Sequence, residues 1–332
     1  MNDARRFFFG LLAGSVLAAS LYAAAIWFAL GIPVPSTLVP WGFIKSKVEM
    51  AAAVSSPKIL FVGGSSVDNG INAKHAGEVT GLPAVNMGFW AGLGPEYILD
   101  KVRQVAKPGD LVVLIMEYGQ FNWSGECRYW VGEEMLPLVL CRDPQFFLSR
   151  PLEEQFHFAI RMSPAFLGEC LQERVHPVTS VSPDGFFKSH DSCGDVTNNI
   201  TANLSNPLPI GNTPKDPIWH LSHPLPADAK GFSVVADFID WARKSAVTVV
   251  ATYPNVARNP AYEKADSQVT VKRVKDFYRS MNVPLLGSFE ASEFSPECFF
   301  DTHYHLQADS AVRRTELLIP LLAPYLPGQS KQ

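Results

Sequence analysis

The chain has no CxxC pair and no cysteine–histidine ladder at zinc-ligand spacing, which argues against a structural metal site of the usual kind. It also lacks a basic surplus. With 28 Lys and Arg against 32 Asp and Glu, the net charge is -4 and the pI near 6.1, so nothing electrostatic points to a nucleic-acid partner. Neither an internal repeat nor a low-complexity tract is present. Charged residues make up only 18% of the 332 positions and hydrophobic residues 47%, enough to bury a large core without covalent cross-links.

The sharpest absence is local. From Phe7 to Leu30 there is neither charge nor proline, and such a run is long enough to cross a bilayer core as a helix. Arg5 and Arg6 precede it, and the next basic residue is Lys45. That bias keeps the amino terminus in the cytoplasm and sends the rest of the chain across. The run exceeds the roughly 7 to 15 apolar residues of a signal peptide. An uncleaved anchor over residues 1–30, touching lipid through 7–30, is therefore favoured over cleavage near Ala18-Ala19-Ser20 or Ala23-Ala24-Ala25. The expected location is the inner (cytoplasmic) membrane, single-pass, with the soluble body on the periplasmic side. In such an oxidising compartment the five cysteines suggest two pairs and a leftover, and sequence proximity nominates Cys127 with Cys141 and Cys170 with Cys193. Four cysteines allow three connectivities.

Residues 31–57, rich in proline and alanine, read as a spacer. Beyond them, apolar β-type runs alternate with amphipathic helical stretches. The runs Ile59–Val62, Leu82–Gly88, Leu111–Met116, Ala246–Tyr253 and Val283–Leu286 read as strands. Helices are expected near Lys74–Thr80, from Pro95, from about Ala227 to Lys244, through Val274 and Met281, and after Asp309 as N-cap. The alternation predicts one doubly wound α/β domain over 58–326 with a mainly parallel sheet. Periodicity fades between about 120 and 226, a stretch with four of the five cysteines and with Trp123, Trp130 and Trp219. A structureless loop of that length is improbable. It is expected to be an elaborated, disulfide-tied insertion over the sheet, forming a lid or groove or a decoration.

Two stretches carry chemistry. Gly63-Gly64-Ser65-Ser66 ends the first strand, where glycines permit a tight turn and an open α/β sheet places its ligands. Far along the chain, Asp301-Thr302-His303-Tyr304-His305 can supply an imidazole base and its orienting carboxylate to a serine nucleophile. A zinc site on the same three side chains would need a fourth ligand that the sequence does not offer. The remaining histidines, His75, His157, His176, His190, His220 and His223, show no partner pattern.

Over about Lys58 to Pro324 these features resemble the SGNH (GDSL-like) hydrolase superfamily, and within it the membrane-anchored relatives linked to polysaccharide O-acylation. The first block, Gly-Asp-Ser, looks like Gly63-Gly64-Ser65, with Gly64 in place of the acid. The resemblance makes Ser65 the nucleophile, Ser66 the alternative. The second block matches Asn86-Met87-Gly88 and implies that the Gly88 and Ser65 amides form an oxyanion hole. The third block, Gly-x-Asn-Asp, is absent: Met116-Glu117-Tyr118-Gly119-Gln120-Phe121-Asn122 follows the central strand, so the asparagine donor is missing or replaced by Asn122. In the last block Asp301 orients the base, His305 in preference to His303. The resemblance implies a flavodoxin-like SGNH fold and a serine esterase or O-acyltransferase with neither metal nor organic cofactor. Its implied partners are an acylated, extracytoplasmic glycan and an integral membrane acyltransferase. The alternative is a non-catalytic accessory protein of the same fold that binds a glycan or such an acyltransferase.

Overall fold

The computed structural model describes residues 2–122, 135–177, 189–200 and 217–327. The chain divides into two compact units, Met1–Trp41 with Val131–Pro183, and Gly42–Trp130 with Asp184–Gln332.

In chain order the described elements are α1 (Asn2–Ala29), α2 (Leu38–Ala53), β1 (Ile59–Gly63), α3 (Ser65–Asp68), α4 (Ala73–Thr80), β2 (Ala84–Gly88), α5 (Gly94–Val105), β3 (Leu111–Ile115) and α6 (Tyr118–Phe121). Next come α7 (Met135–Arg142), α8 (Pro144–Ser149), α9 (Leu152–Ile160), α10 (Pro164–Val175), α11 (Trp219–Ser222) and α12 (Gly231–Lys244). The chain ends with β4 (Thr248–Thr252), β5 (Val256–Ala257), α13 (Ala265–Ser280), β6 (Leu285–Leu286), α14 (Phe289–Ser292), β7 (Glu293–Phe294) and α15 (Ala308–Leu322).

The larger unit is α/β, built on a five-stranded sheet in the order β2-β1-β3-β4-β6, parallel at every pairing. β1 and β3 are buried along their whole length, as strands covered on both faces must be. Alternate residues serve opposite faces. Ile59, Phe61, Leu111, Val113 and Ile115 pack with Ala73 and Ala76 of α4 and Leu318 and Leu322 of α15, leaving Leu60, Val62, Val112 and Leu114 for the other face. From β1 the chain steps outward to β2, then returns past β1 to β3. Right-handed crossovers taken in opposite directions put α4 and α5 on opposite sides of the sheet. The reversal falls between β1 and β3, at whose carboxyl ends open α/β sheets place their ligands. A second, two-stranded parallel sheet joins β5 to β7.

Residues 31–57 are not a spacer. Alanine is the best helix former, and α2 occupies most of the stretch, burying Phe43, Ile44, Lys47 and Ala51. The last helix begins one residue before Asp309, with Gln307 at the cap position and Asp309 in its first turn.

The smaller unit corrects the view of 120–226 as one insertion over the sheet. Its helices α7 to α10 cluster with the N-terminal segment, whose Asp3–Ala29 stretch is long and apolar enough to cross a membrane as an anchor or a signal sequence would. Residues 189–200 belong to the α/β unit. The cysteine pairing also differs: Cys141, Cys170, Cys193 and Cys298 are free thiols, and the sulfur beside Cys170 Sγ is that of Cys141, 3.9 Å away. Cys127, Trp123 and Trp130 lie outside the described residues.

Candidate active site

β1 delivers Ser65 to the carboxyl edge of the sheet. A Cβ at Gly63 would stand 2.2 Å from the Ile115 carbonyl oxygen, and one at Gly88 2.1 Å from the Asp68 nitrogen. Only glycine lets β3 and the one-turn helix α3 approach the ends of β1 and β2 so closely. Ser65 opens α3, so its amide has no carbonyl of its own helix to bind. Its side chain is half-buried, whereas Ser66 is fully buried, so of the two hydroxyl residues Ser65 is the one with access to solvent.

The group facing Ser65 is a carboxylate that sequence reasoning passed over. Glu117 stands two residues beyond the end of β3 and is buried. Its Oε1 accepts the Ser66 amide at 2.8 Å and lies 3.5 Å from Ser65 Oγ, while Gln120 Oε1 accepts the Glu117 amide at 2.8 Å. Burial pushes the Glu117 carboxyl above its ordinary range, against the opposing effects of the Ser66 amide and of positive charge on His305. The signal was present in the sequence: the first charged side chain after a fully apolar strand stands where such sheets hold their ligands. Asn122, the candidate replacement donor, instead bonds His220 Nδ1 at 3.2 Å.

The acid–histidine segment folds into a tight loop. Phe299 and Leu306 form an antiparallel bridge, the Phe300 amide donates to the His305 carbonyl at 2.7 Å, and Thr302 Oγ1 accepts the Tyr304 and His305 amides, each at 3.2 Å. Closing the loop brings Asp301 Oδ1 to 2.6 Å from His305 Nδ1. With that nitrogen protonated, Nε2 is left to take a proton. His303 is held differently, its carbonyl accepting the Ala257 amide beside β5 at 3.0 Å. Among the described residues no group of three or more His, Cys, Asp or Glu is arranged to hold a metal ion.

One guanidinium ties these segments together. Arg314, buried within α15, donates to the Tyr253 carbonyl at 2.9 Å and to Asn255 Oδ1, with longer contacts to the Ser66 and Gly70 carbonyls at 3.4 and 3.5 Å. Asn255 in turn donates to the Tyr304 carbonyl. The residue after Ser65 and the residue before His305 therefore share a brace.

The Gly88 amide, expected in the oxyanion hole, donates to Asn86 Oδ1 at 2.9 Å. Asn86 is the organiser of the turn: its Nδ2 donates to the carbonyls of Val67, Asp68 and Ile71 and to Asp195 Oδ1. Asp195 also accepts the Ala73 and Lys74 amides at 2.8 Å, and burial raises its carboxyl to about 6. At the end of α3, burial would raise the Asp68 carboxyl, yet Lys47 Nζ and His190 Nε2 both meet its Oδ1 and hold it below its ordinary range. His190, which showed no partner in the sequence, is thus part of a buried ion cluster behind the Ser65 turn.

No family model, no curated protein and no solved structure matches the chain. Fold and site together define an α/β protein with a half-buried serine beside a buried glutamate, and an aspartate–histidine pair in a loop near the same carboxylate.

Proposed function

We propose that the chain is a membrane-anchored serine esterase or O-acyltransferase of the SGNH type, acting on acyl esters, acetyl above all, of an extracytoplasmic glycan. The single observation that carries the reading is the Asp301–His305 hydrogen bond at 2.6 Å, combined with a half-buried serine at the mouth of β1. In this reading His305 Nε2 takes the Ser65 proton as Oγ attacks the acyl carbonyl, and Asp301 keeps the ring oriented. The Ser65 amide binds the oxyanion. Glu117 follows β3, where the family's third-block asparagine would donate. Only its protonated form can donate, and burial favours that form. Water as acceptor releases the acid; a sugar hydroxyl accepts the acyl group instead.

The anchor reading is supported by packing. Tyr22, Ala25, Ile26 and Ala29 turn one face of α1 toward α7–α10, and Tyr22 Oη donates to the Ala159 and Met162 carbonyls at 2.6 and 2.9 Å. Cleavage near Ala23-Ala24-Ala25 would remove Tyr22 and both of these hydrogen bonds, whereas cleavage near Ala18 would leave the face from Tyr22 to Ala29 in place.

The second reading, a non-catalytic accessory protein for a glycan or a membrane acyltransferase, is favoured by two observations: the Ser65 hydroxyl points to Glu117, and the Gly88 amide is already bonded. Reaction with a fluorophosphonate, followed by peptide mapping, separates the two. Labelling of Ser65 that disappears in Ser65→Ala and in His305→Ala but survives in His303→Ala is expected of the enzyme. Equal acetyl ester cleavage by the parent and Ser65→Ala removes the nucleophile assignment, and loss in His303→Ala alone moves the base.

A further inference from the structure

The outer third of α1 fixes a depth for the helices packed on it. Counted from Phe7, the ~20 residues that span a hydrocarbon core end near Ile26. Tyr22 lies seven residues before Ala29, about 10 Å along the helix. Its hydroxyl binds the carbonyls of Ala159 and Met162, at and just past the last turn of α9. Further out, Arg174 of α10 lies 4.5 Å over the Phe28 ring and donates to the Phe28 carbonyl, and the Gly31 amide donates to Leu140 of α7. If α1 spans the bilayer, Tyr22 lies four residues, about 6 Å, inside the outer edge at Ile26, which would set the end of α9 in the outermost hydrocarbon and α10 among the headgroups.

What α9 shows on its outer side does not suit water. Leu152, Phe156 and Ile160, at i, i+4 and i+8, share one helix face and are 81%, 62% and 53% exposed, while Phe158 and Met162 are buried. On α10, Leu171 and Val175 make a second exposed pair at i and i+4. An exposed apolar row on an interfacial helix is the signature of one lying in a membrane surface.

We infer that α9 and α10 form a collar around the outer end of α1 that beds in the outer lipid interface, with Leu152, Phe156, Ile160, Leu171 and Val175 among the upper acyl chains. The inference rests on the reading of α1 as an anchor. Lipid is the occupant because the apolar row is tied by hydrogen bonds, at the same depth, to a helix whose own Leu21 and Trp27 are exposed. Arg174, exposed near the end of α10, has a stem long enough to follow the apolar surface while its charge stays at the headgroup level.

The test uses the full chain in vesicles of phosphatidylethanolamine and phosphatidylglycerol containing a phosphatidylcholine with a diazirine near the top of one acyl chain. Illumination and peptide mapping should place adducts on α9 and α10 as well as on α1. In the triple variant L152E, F156E and I160E, the α9 adducts should fall at least about fivefold while those on α1 stay unchanged. Adducts confined to α1 overturn the collar and leave the anchor standing; α1 free of adducts overturns the anchor, and the collar with it. Cross-links joining α9 of two copies would show that a second copy covers the face and would equally overturn the inference.

Discussion

Arg314→Met removes a buried guanidinium that makes no ion pair with a carboxylate among the described residues. Two of its hydrogen bonds, to the Tyr253 carbonyl and Asn255 Oδ1, are charge-assisted and contribute about 1.5–3 kcal/mol each. Their loss costs about 3–6 kcal/mol. Against this, burial lowers the guanidinium pKa to about 9, a desolvation cost that methionine does not incur. The desolvation gain offsets part of that loss, so the variant should be destabilised by less than about 3 kcal/mol. Function should not be spared. Arg314 reaches the Ser66 carbonyl and, through Asn255, the Tyr304 carbonyl, and misplacing a nucleophile or base by about 1 Å costs on the order of 100-fold. Urea unfolding followed by circular dichroism, beside acetyl ester turnover, should show a stable protein with kcat down about 10- to 100-fold and KM little changed. A loss of more than about 4 kcal/mol with turnover per folded molecule intact would refute the brace.

Glu117→Gln keeps an acceptor for the Ser66 amide and removes a carboxylate whose pKa burial raises. A raised folded pKa means that the contribution of Glu117 to stability is full below the unfolded value, about 4.3, and drains away as pH climbs through the folded one. The melting temperature of Glu117→Gln minus that of the parent should therefore grow from acid to neutral pH, and a difference that stays flat or shrinks contradicts the burial argument. Since Gln is a permanent donor, this variant should also keep ester cleavage at neutral pH, whereas Glu117→Ala should lose at least about tenfold. Cys141 and Cys170, both buried, 29 residues apart with sulfurs at 3.9 Å, should resist alkylation in denaturant after isolation under oxidising conditions and react there once reduced. Closing that loop is worth about 3–4 kcal/mol. Alkylation of both thiols in the oxidised protein would show that they do not pair.

The strands were legible because β1 and β3 are buried at every residue and so appear as unbroken apolar runs. The Ser65 turn and the Asp301–His305 segment were legible because each is a local pattern, five residues or fewer, at the end of a strand or before a helix. The role of residues 31–57 was not, since proline and alanine content hid the buried face Phe43, Ile44 and Lys47. Lys47, Asp68 and His190 meet from three distant stretches, and nothing in any one of them announces the others. The neighbour of Cys170 was hidden for the same reason: proximity in sequence favoured Cys193, while helix packing set Cys141 beside it.

By itself the sequence determined what depends on neighbours along the chain: the apolar N-terminal helix, the alternation of strand and helix, the glycine turn before Ser65, and the carboxylate four residues from His305. Only the tertiary structure decided which polar groups converge. Parallel pairing sets the ends of β1 and β3 side by side, and that places Glu117 rather than Asn122 next to Ser65 and leaves the Gly88 amide with Asn86. It likewise assigned α7–α10 to the foot of the N-terminal helix. A side chain's own type limits the chemistry it can perform, but its partner is chosen by pairings and packings that span tens to hundreds of residues, and these leave no local trace.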